Sequence, residues 1–114
     1  MATQSDDFLI GAELPAVEVD GGLTRKVMGF DGQLMLVEIK FKKGSVGYIH
    51  QHFHSQTSYV VSGVFEATVR GEKKMLKAGD GFYVEPNVAH GVVCMEEGTL
   101  IDAFSPSRQD FLAK

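Results

Sequence analysis

Glycine spacing limits what this chain can fold into more than any other feature. Thirteen glycines are spread along 114 residues, and many close short apolar runs, as in Asp31-Gly32, Lys43-Gly44, Ser62-Gly63, Arg70-Gly71, Ala78-Gly79 and Glu97-Gly98. Such pairs mark turns, because glycine and its small polar neighbours tolerate the backbone angles that tight turns need. No segment repeats its apolar residues at the 3.6-residue period of a helix. Short runs between turn signals predict an all-β fold, a small antiparallel β-barrel or jelly roll.

Residues 1–22 read as an N-terminal tail and edge segment, with Pro15 arguing against a central strand there. Residues 23–114 are expected to form a single barrel domain. Runs 23–30 (LTRKVMGF) and 34–41 (LMLVEIKF) are predicted to pair through a hairpin at Asp31-Gly32, where both residues tolerate positive φ. In the second run Met35, Val37, Ile39 and Phe41 make one apolar face. Strands over 48–53 and 57–61 flank a histidine segment. Turns at Ser62-Gly63, Arg70-Gly71-Glu72 and Ala78-Gly79-Asp80 then separate strands over 64–69, 73–77 and 81–84. A strand over 89–95 turns at Glu96-Glu97-Gly98 into a final strand over 99–104. The tail from Ser105 fits one short helical turn, with Phe111 and Leu112 docked inward.

Every histidine lies in one of two of these blocks: His50, His52 and His54 in GYIHQHFHSQTSYVVSG, and His90 in GDGFYVEPNVAHGV. Residues i and i+2 of a strand point to one face, so His50 and His52 can share an ion. Imidazole suits zinc, iron, nickel and copper. Gln56 follows closely enough to turn back as an oxygen ligand, and His90 would arrive from the second hairpin. Three neutral imidazoles and an amide leave the ion's charge uncompensated, which favours anionic ligands and Lewis-acid chemistry. Taken alone, a histidine pair at this spacing also occurs as incidental surface or structural residues. His54 shares the parity of the pair, and as an isolated residue reads as a partly exposed turn position.

The two histidine blocks resemble the two motifs of the cupins. Gly47, His50, His52, Gln56 and Gly63 fall on the first motif, with the leading glycine closer to His50 than usual. Gly79 and His90 bound the second, with Asn87 at a position often held by glycine and the proline displaced to Pro86. The resemblance implies a barrel of six to ten antiparallel strands, commonly dimeric. It implies a divalent transition-metal ion (nickel, zinc, iron or manganese) held by His50, His52, Gln56 and His90, and it makes His54 a pocket residue rather than a ligand. Cupins host isomerases, dioxygenases, decarboxylases and non-enzymatic sensors, so fold alone does not give the reaction.

The C-terminal run LIDAFSPSRQDFL narrows the choice. Asp102 and Phe104 share one face of the last strand. Ile101 and Ala103 are apolar on the other face, so an inward carboxylate needs a reason. Arg108 lies just beyond, either functional or paired with Asp110 or Glu97. This tail, with RKVM at residues 25–28, LMLVEIKFKKGSVG, YVVSGVFE and LKAGD, is similar to the KdgF-type cupins of pectin and alginate breakdown. That resemblance implies ring opening and tautomerisation of 4,5-unsaturated monouronates to 4-deoxy-5-keto uronates, with Asp102, Phe104 and Arg108 as catalytic residues. The other expectations that fit a three-histidine cupin are an iron-dependent dioxygenase and a non-enzymatic sugar- or acid-binding protein.

Composition enters mainly as exclusion. A net charge of −4 and a pI near 5.5 imply no basic face for nucleic acid. Cys94 is the single cysteine, so no intrachain disulfide forms. The N-terminus lacks the basic and apolar regions of a secretory signal, and no apolar run approaches the ~20 residues of a membrane span. The reading is a soluble cytoplasmic homodimer acting on an anionic small molecule, with no nucleic-acid or membrane partner.

Overall fold

The computed structural model describes residues 3–19 and 21–112; the outermost parts of the tails foreseen above, and Asp20, lie outside this range. A 3-10 turn at Gly11–Glu13 precedes eight strands: β1 (Val17–Val19), β2 (Leu23–Phe30), β3 (Met35–Phe41), β4 (Val46–His50), β5 (Ser55–Val69), β6 (Glu72–Lys77), β7 (Gly81–Val84) and β8 (His90–Ser105). A short helix, α1 (Gln109–Leu112), follows. The strand path is β1-β2-β3-β8-β5-β6, with β4 joined to β8 and β7 to β5, all antiparallel. The all-β architecture is therefore as the glycine spacing predicts. Among the described residues no helix is long and apolar enough to cross a membrane.

Two predicted turns are absent. Ser62-Gly63 lies inside β5, and Glu96-Glu97-Gly98 lies inside β8. The register between the two strands shifts there. A Cβ on Gly63 would stand 2.6 Å from the carbonyl oxygens of Glu96 and Glu97, and one on Gly98 would stand 2.0 Å from Ser62 O. Gly63 also has φ of 86°, in the left-handed region. The two glycine segments face each other across the pair, so both strands bend at one place and pass from one wall of the barrel to the other. Bulges of this kind make the corners where strands change sheets. The inward residues of β5 are Gln56, Ser58 and Val60 before the corner and Phe65 and Ala67 after it. The change of parity is the signature of an inserted residue.

The β2–β3 turn stands where expected, by a different device. Asp31 Oδ1 accepts the amides of Gln33 (2.7 Å) and Leu34 (3.1 Å), and neither Asp31 nor Gly32 adopts positive φ. The Asp31 side chain makes the turn, not backbone permissiveness.

Met35, Val37 and Phe41 are buried, as the alternation of β3 predicts, and Ile39 on the same face is half-buried. Around the corner Val60, Phe65, Cys94 and Leu100 pack with Phe41, whose ring meets Phe65 edge-on at 5.0 Å. A second cluster of Met35, Val37 and Phe104 receives Phe111 and Leu112, so the tail docks inward as read from the sequence. It is tied to the β2–β3 turn: Ser105 Oγ donates to Gln33 O (2.7 Å) and Ser107 Oγ to Leu34 O (2.8 Å). These bonds hold Arg108 and Phe111 beside the open end of the barrel.

Candidate metal centre

β4 carries His50 at its end and pairs with β8 so that His50 lies opposite His90. β4 ends at His50 rather than running to residue 53, so His52 does not share a strand face with it as the spacing predicted; the chain places His52 in the connection and re-enters the sheet at β5 with Gln56 pointing inward. One nitrogen each of His50, His52 and His90 lies within 4.8 Å of the others. Gln56 Oε1 is 3.0 Å from His52 Nε2 and 3.1 Å from His90 Nε2. The four residues singled out by spacing thus converge on one point.

The protons decide what such a point can hold. Each histidine sets Nδ1 against a backbone carbonyl: His50 on Tyr48 O (2.8 Å), His52 on His54 O (3.1 Å) and His90 on Val88 O (2.9 Å). A carbonyl only accepts, so Nδ1 carries the hydrogen and Nε2 of the neutral ring presents a lone pair. Burial pushes His52 below its ordinary value and His90 down to about 4, so both rings are neutral at pH 7. Gln56 is oriented too. Its Nε2 donates to Ser58 Oγ (3.0 Å), which donates its one proton to Asp102 Oδ1 (2.6 Å). The amide oxygen must then face the imidazoles. Lone pairs of Gln56, His52 and His90 therefore meet at hydrogen-bond distance with no hydrogen between them. That donor set fits a cation, and the backbone carbonyls are the outer partners that fix ligating rings.

Asp102 lies opposite Ser58 across β5 and β8, is 5% exposed, and faces the interior with Phe104. Burial raises its carboxyl to about 6, against the opposing pull of Ser58 and Arg108. Both residues line a cavity of about 220 Å³ together with His50, Gln56, His90 and Arg108. That volume is small beside the roughly 300–1,000 Å³ of drug-sized sites, and suits one small ring. His52 is not among the lining residues.

Arg108 combines both readings left open by the sequence. It lines the cavity and also forms a two-point ion pair with Asp110, through Nε (3.1 Å) and Nη2 (2.8 Å). Hydrogen bonding to Arg108 holds the Asp110 carboxyl below its ordinary value.

His54 is neither the exposed turn residue nor a wall of the cavity. It is buried, stacked on Phe53 (4.1 Å) and edge-on to His52 (5.3 Å). Its Nδ1 has no hydrogen-bond partner among the described residues. Its backbone carbonyl, not its ring, serves the site by holding His52.

Two residues were not singled out from the sequence. Ser58 links Gln56 to Asp102, and nothing in the sequence marks one serine among its neighbours. Arg25 lines the cavity from β2, its Cζ 3.9 Å from the Phe111 ring centre. Its signal was legible: Leu23, Arg25 and Val27 share a strand face, and a charge between two apolar residues is out of place.

The comparisons agree with this geometry. The cupin domain family matches residues 37–102. The chain is 45% identical over 107 residues to the pectin degradation protein KdgF of Dickeya dadantii (strain 3937), covering 92% of this chain and 97% of that protein. Among solved structures it is similar to an RmlC-like cupin from Shewanella frigidimarina NCIMB 400, with a TM-score of 0.94, 50% identity, and coverage of 96% of this chain and 99% of that one. It is also similar to KdgF from Halomonas sp., with a TM-score of 0.89, 40% identity, and coverage of 94% and 99%. The chain belongs to the cupin family and, within it, to the group of the pectin degradation protein KdgF.

Proposed function

We propose that this protein opens and tautomerises 4,5-unsaturated monouronates, with Asp102 as the group that moves the proton. The observation that carries the reading is a buried carboxyl, raised by burial to about 6, in a single-sugar cavity lined also by the imidazoles of His50 and His90 and the guanidiniums of Arg25 and Arg108. Likeness to a pectin degradation protein supports a sugar acid of pectin breakdown as the substrate.

The reaction is an isomerisation. The proton on the anomeric hydroxyl leaves, a C1 carbonyl forms, and the bond from C1 to the ring oxygen breaks with its electrons going to that oxygen. The resulting C5 enolate becomes a ketone as C4 takes a proton. One carboxyl can take the first proton and deliver it to C4, and a value near 6 suits both tasks at neutral pH. Ser58 fixes the carboxyl in place. Phe104 offers a wall to the sugar ring, and Arg108 keeps Nη1 free to meet the uronate carboxylate. His50, His52, Gln56 and His90 would hold a divalent transition-metal ion, whose contribution when bound is Lewis-acid polarisation of a substrate oxygen.

The test follows loss of the enol-ether absorbance of the unsaturated monouronate on adding metal-loaded protein. Acceleration is expected, and at saturating metal, where the site stays filled, Asp102→Ala should slow it by about 10²–10⁴-fold. No acceleration with any of nickel, zinc, iron or manganese sinks the reading. Loss of metal together with turnover would make Asp102 structural.

We also propose a homodimer. Leu36, Tyr59 and Tyr83 are exposed on adjacent strands and surround Ile101 and Ala103, making an apolar outer face on β3, β8, β5 and β7. Light scattering should give twice the chain mass, and Tyr59→Lys should halve it.

A further inference from the structure

We infer that Arg25 is the specificity-determining residue of this pocket, the free guanidinium that receives the substrate carboxylate and so selects an acidic sugar over a neutral one. The inference rests on the uronate reading above and adds a residue to it.

Arg25 occupies an inward position on β2. It lies opposite Ile39 of β3 and Val17 of β1, with Leu23 and Val27 two residues to either side. The next residue, Lys26, follows the alternation and reaches the other way to bond Gly11 O at 2.9 Å. A charge on the inner wall is costly without a partner. Among the described residues no carboxylate lies within ion-pair distance of Arg25, and no hydrogen bond satisfies its guanidinium.

Arg108 differs on this point. Its charge is already met by Asp110 on two nitrogens, with its side chain only 12% exposed. Both arginines rest on one ring, their Cζ atoms 3.9 and 4.2 Å from the centre of Phe111. Stacking fixes the plane of a guanidinium and leaves its N–H edge available. For Arg25 that edge has no acceptor among the described residues, and the residue lines the same cavity as His90 and Asp102. A planar two-oxygen anion is the ligand that satisfies such an edge. Arg108 contributes direction through its remaining nitrogen, and Arg25 contributes a charge that Asp110 reaches only through space, without an ion-pair contact.

The experiment compares wild-type protein with Arg25→Met and Arg25→Lys, all metal-loaded. Calorimetric binding of galacturonate and of galactose is read beside turnover of the unsaturated monouronate. Arg25→Met keeps an unbranched stem on Phe111 and removes the charge. It should weaken galacturonate binding about 10- to 100-fold, leave galactose binding as it was, and raise KM more than it lowers kcat. Arg25→Lys should restore part of the preference for galacturonate. If Arg25→Met does not fold, Arg25→Gln takes its place. Unchanged galacturonate binding, or equal losses for both sugars, overturns the role of Arg25 and leaves the uronate reading standing. A wild-type protein that turns over no monouronate and binds galactose as well as galacturonate overturns the uronate reading itself.

Discussion

At the closed end of the barrel, β5 and β8 bring together Val60, Phe65, Cys94 and Leu100, all at most 2% exposed. At the open end the same two strands bring together Gln56, Ser58, His90 and Asp102, which are almost as well buried. One end is apolar, and its Phe41 and Leu100 extend into the wall of the cavity. The other is polar: hydrogen bonds join Gln56 through Ser58 to the Asp102 carboxyl, and the Gln56 oxygen faces the imidazole lone pairs. The closed end gains stability by removing apolar area from water. The open end bears the cost of keeping polar groups from water. The comparison teaches that neither end is an independent module: the glycine corner that closes one end sets the register that aligns the other.

The largest expected effect comes from the corner. Gly63→Ala sets a Cβ against two carbonyl oxygens at a positive φ, and should cost about 3 kcal/mol or more of unfolding free energy. Metal affinity should fall with it if the corner aligns the open end. A variant with wild-type stability in denaturant titration would show that the strands do not meet as closely as described.

An effect of similar size and opposite sign is expected at the open end. The folded Asp102 carboxyl titrates near 6, above its ordinary value of 3.8. Its ionisation therefore opposes folding. This cost is absent below pH 4, grows through the window between the two values, and is complete above pH 6. Asp102→Asn removes it, so the metal-free variant should exceed wild type by about 3 kcal/mol above pH 6 and match it below pH 4. A constant difference between the two proteins across that window would mean that the carboxyl is not buried. The same variant should be inactive, which separates stability from chemistry at one residue.

Ser58→Ala gives the smallest effect. It frees the Gln56 amide to rotate and leaves Asp102 without its donor. Metal affinity measured against a chelator should fall about 10–100-fold, the usual loss for an outer-shell partner. An unchanged affinity would show that Gln56 does not need Ser58 to face the imidazoles.

Local signals carried much of this protein. The alternation of Met35, Val37 and Phe41 gave the inner face of β3, and the His-x-His spacing with a distant histidine marked the residues that converge. Signals failed where the deciding partner is remote in sequence. Ser62-Gly63 and Glu97-Gly98 look like hairpin turns, because a turn and a bulged corner use the same glycine. Only the approach of one to the other distinguishes them. Asp31-Gly32 pointed to the right turn for the wrong reason, since the Asp31 side chain, rather than positive φ, closes it.

By itself the sequence determined the strand content, the family and the set of chemical groups, because period-2 burial and side-chain identity are local properties. Tertiary structure alone decided the states of those groups. It made Gln56 an oxygen donor through Ser58, lifted Asp102 by burial, and paired Arg108 with Asp110 while giving Arg25 no carboxylate within ion-pair distance among the described residues. Protonation and charge depend on neighbours brought together across the barrel, and those neighbours exist only once β5 and β8 have bent at their shared corner.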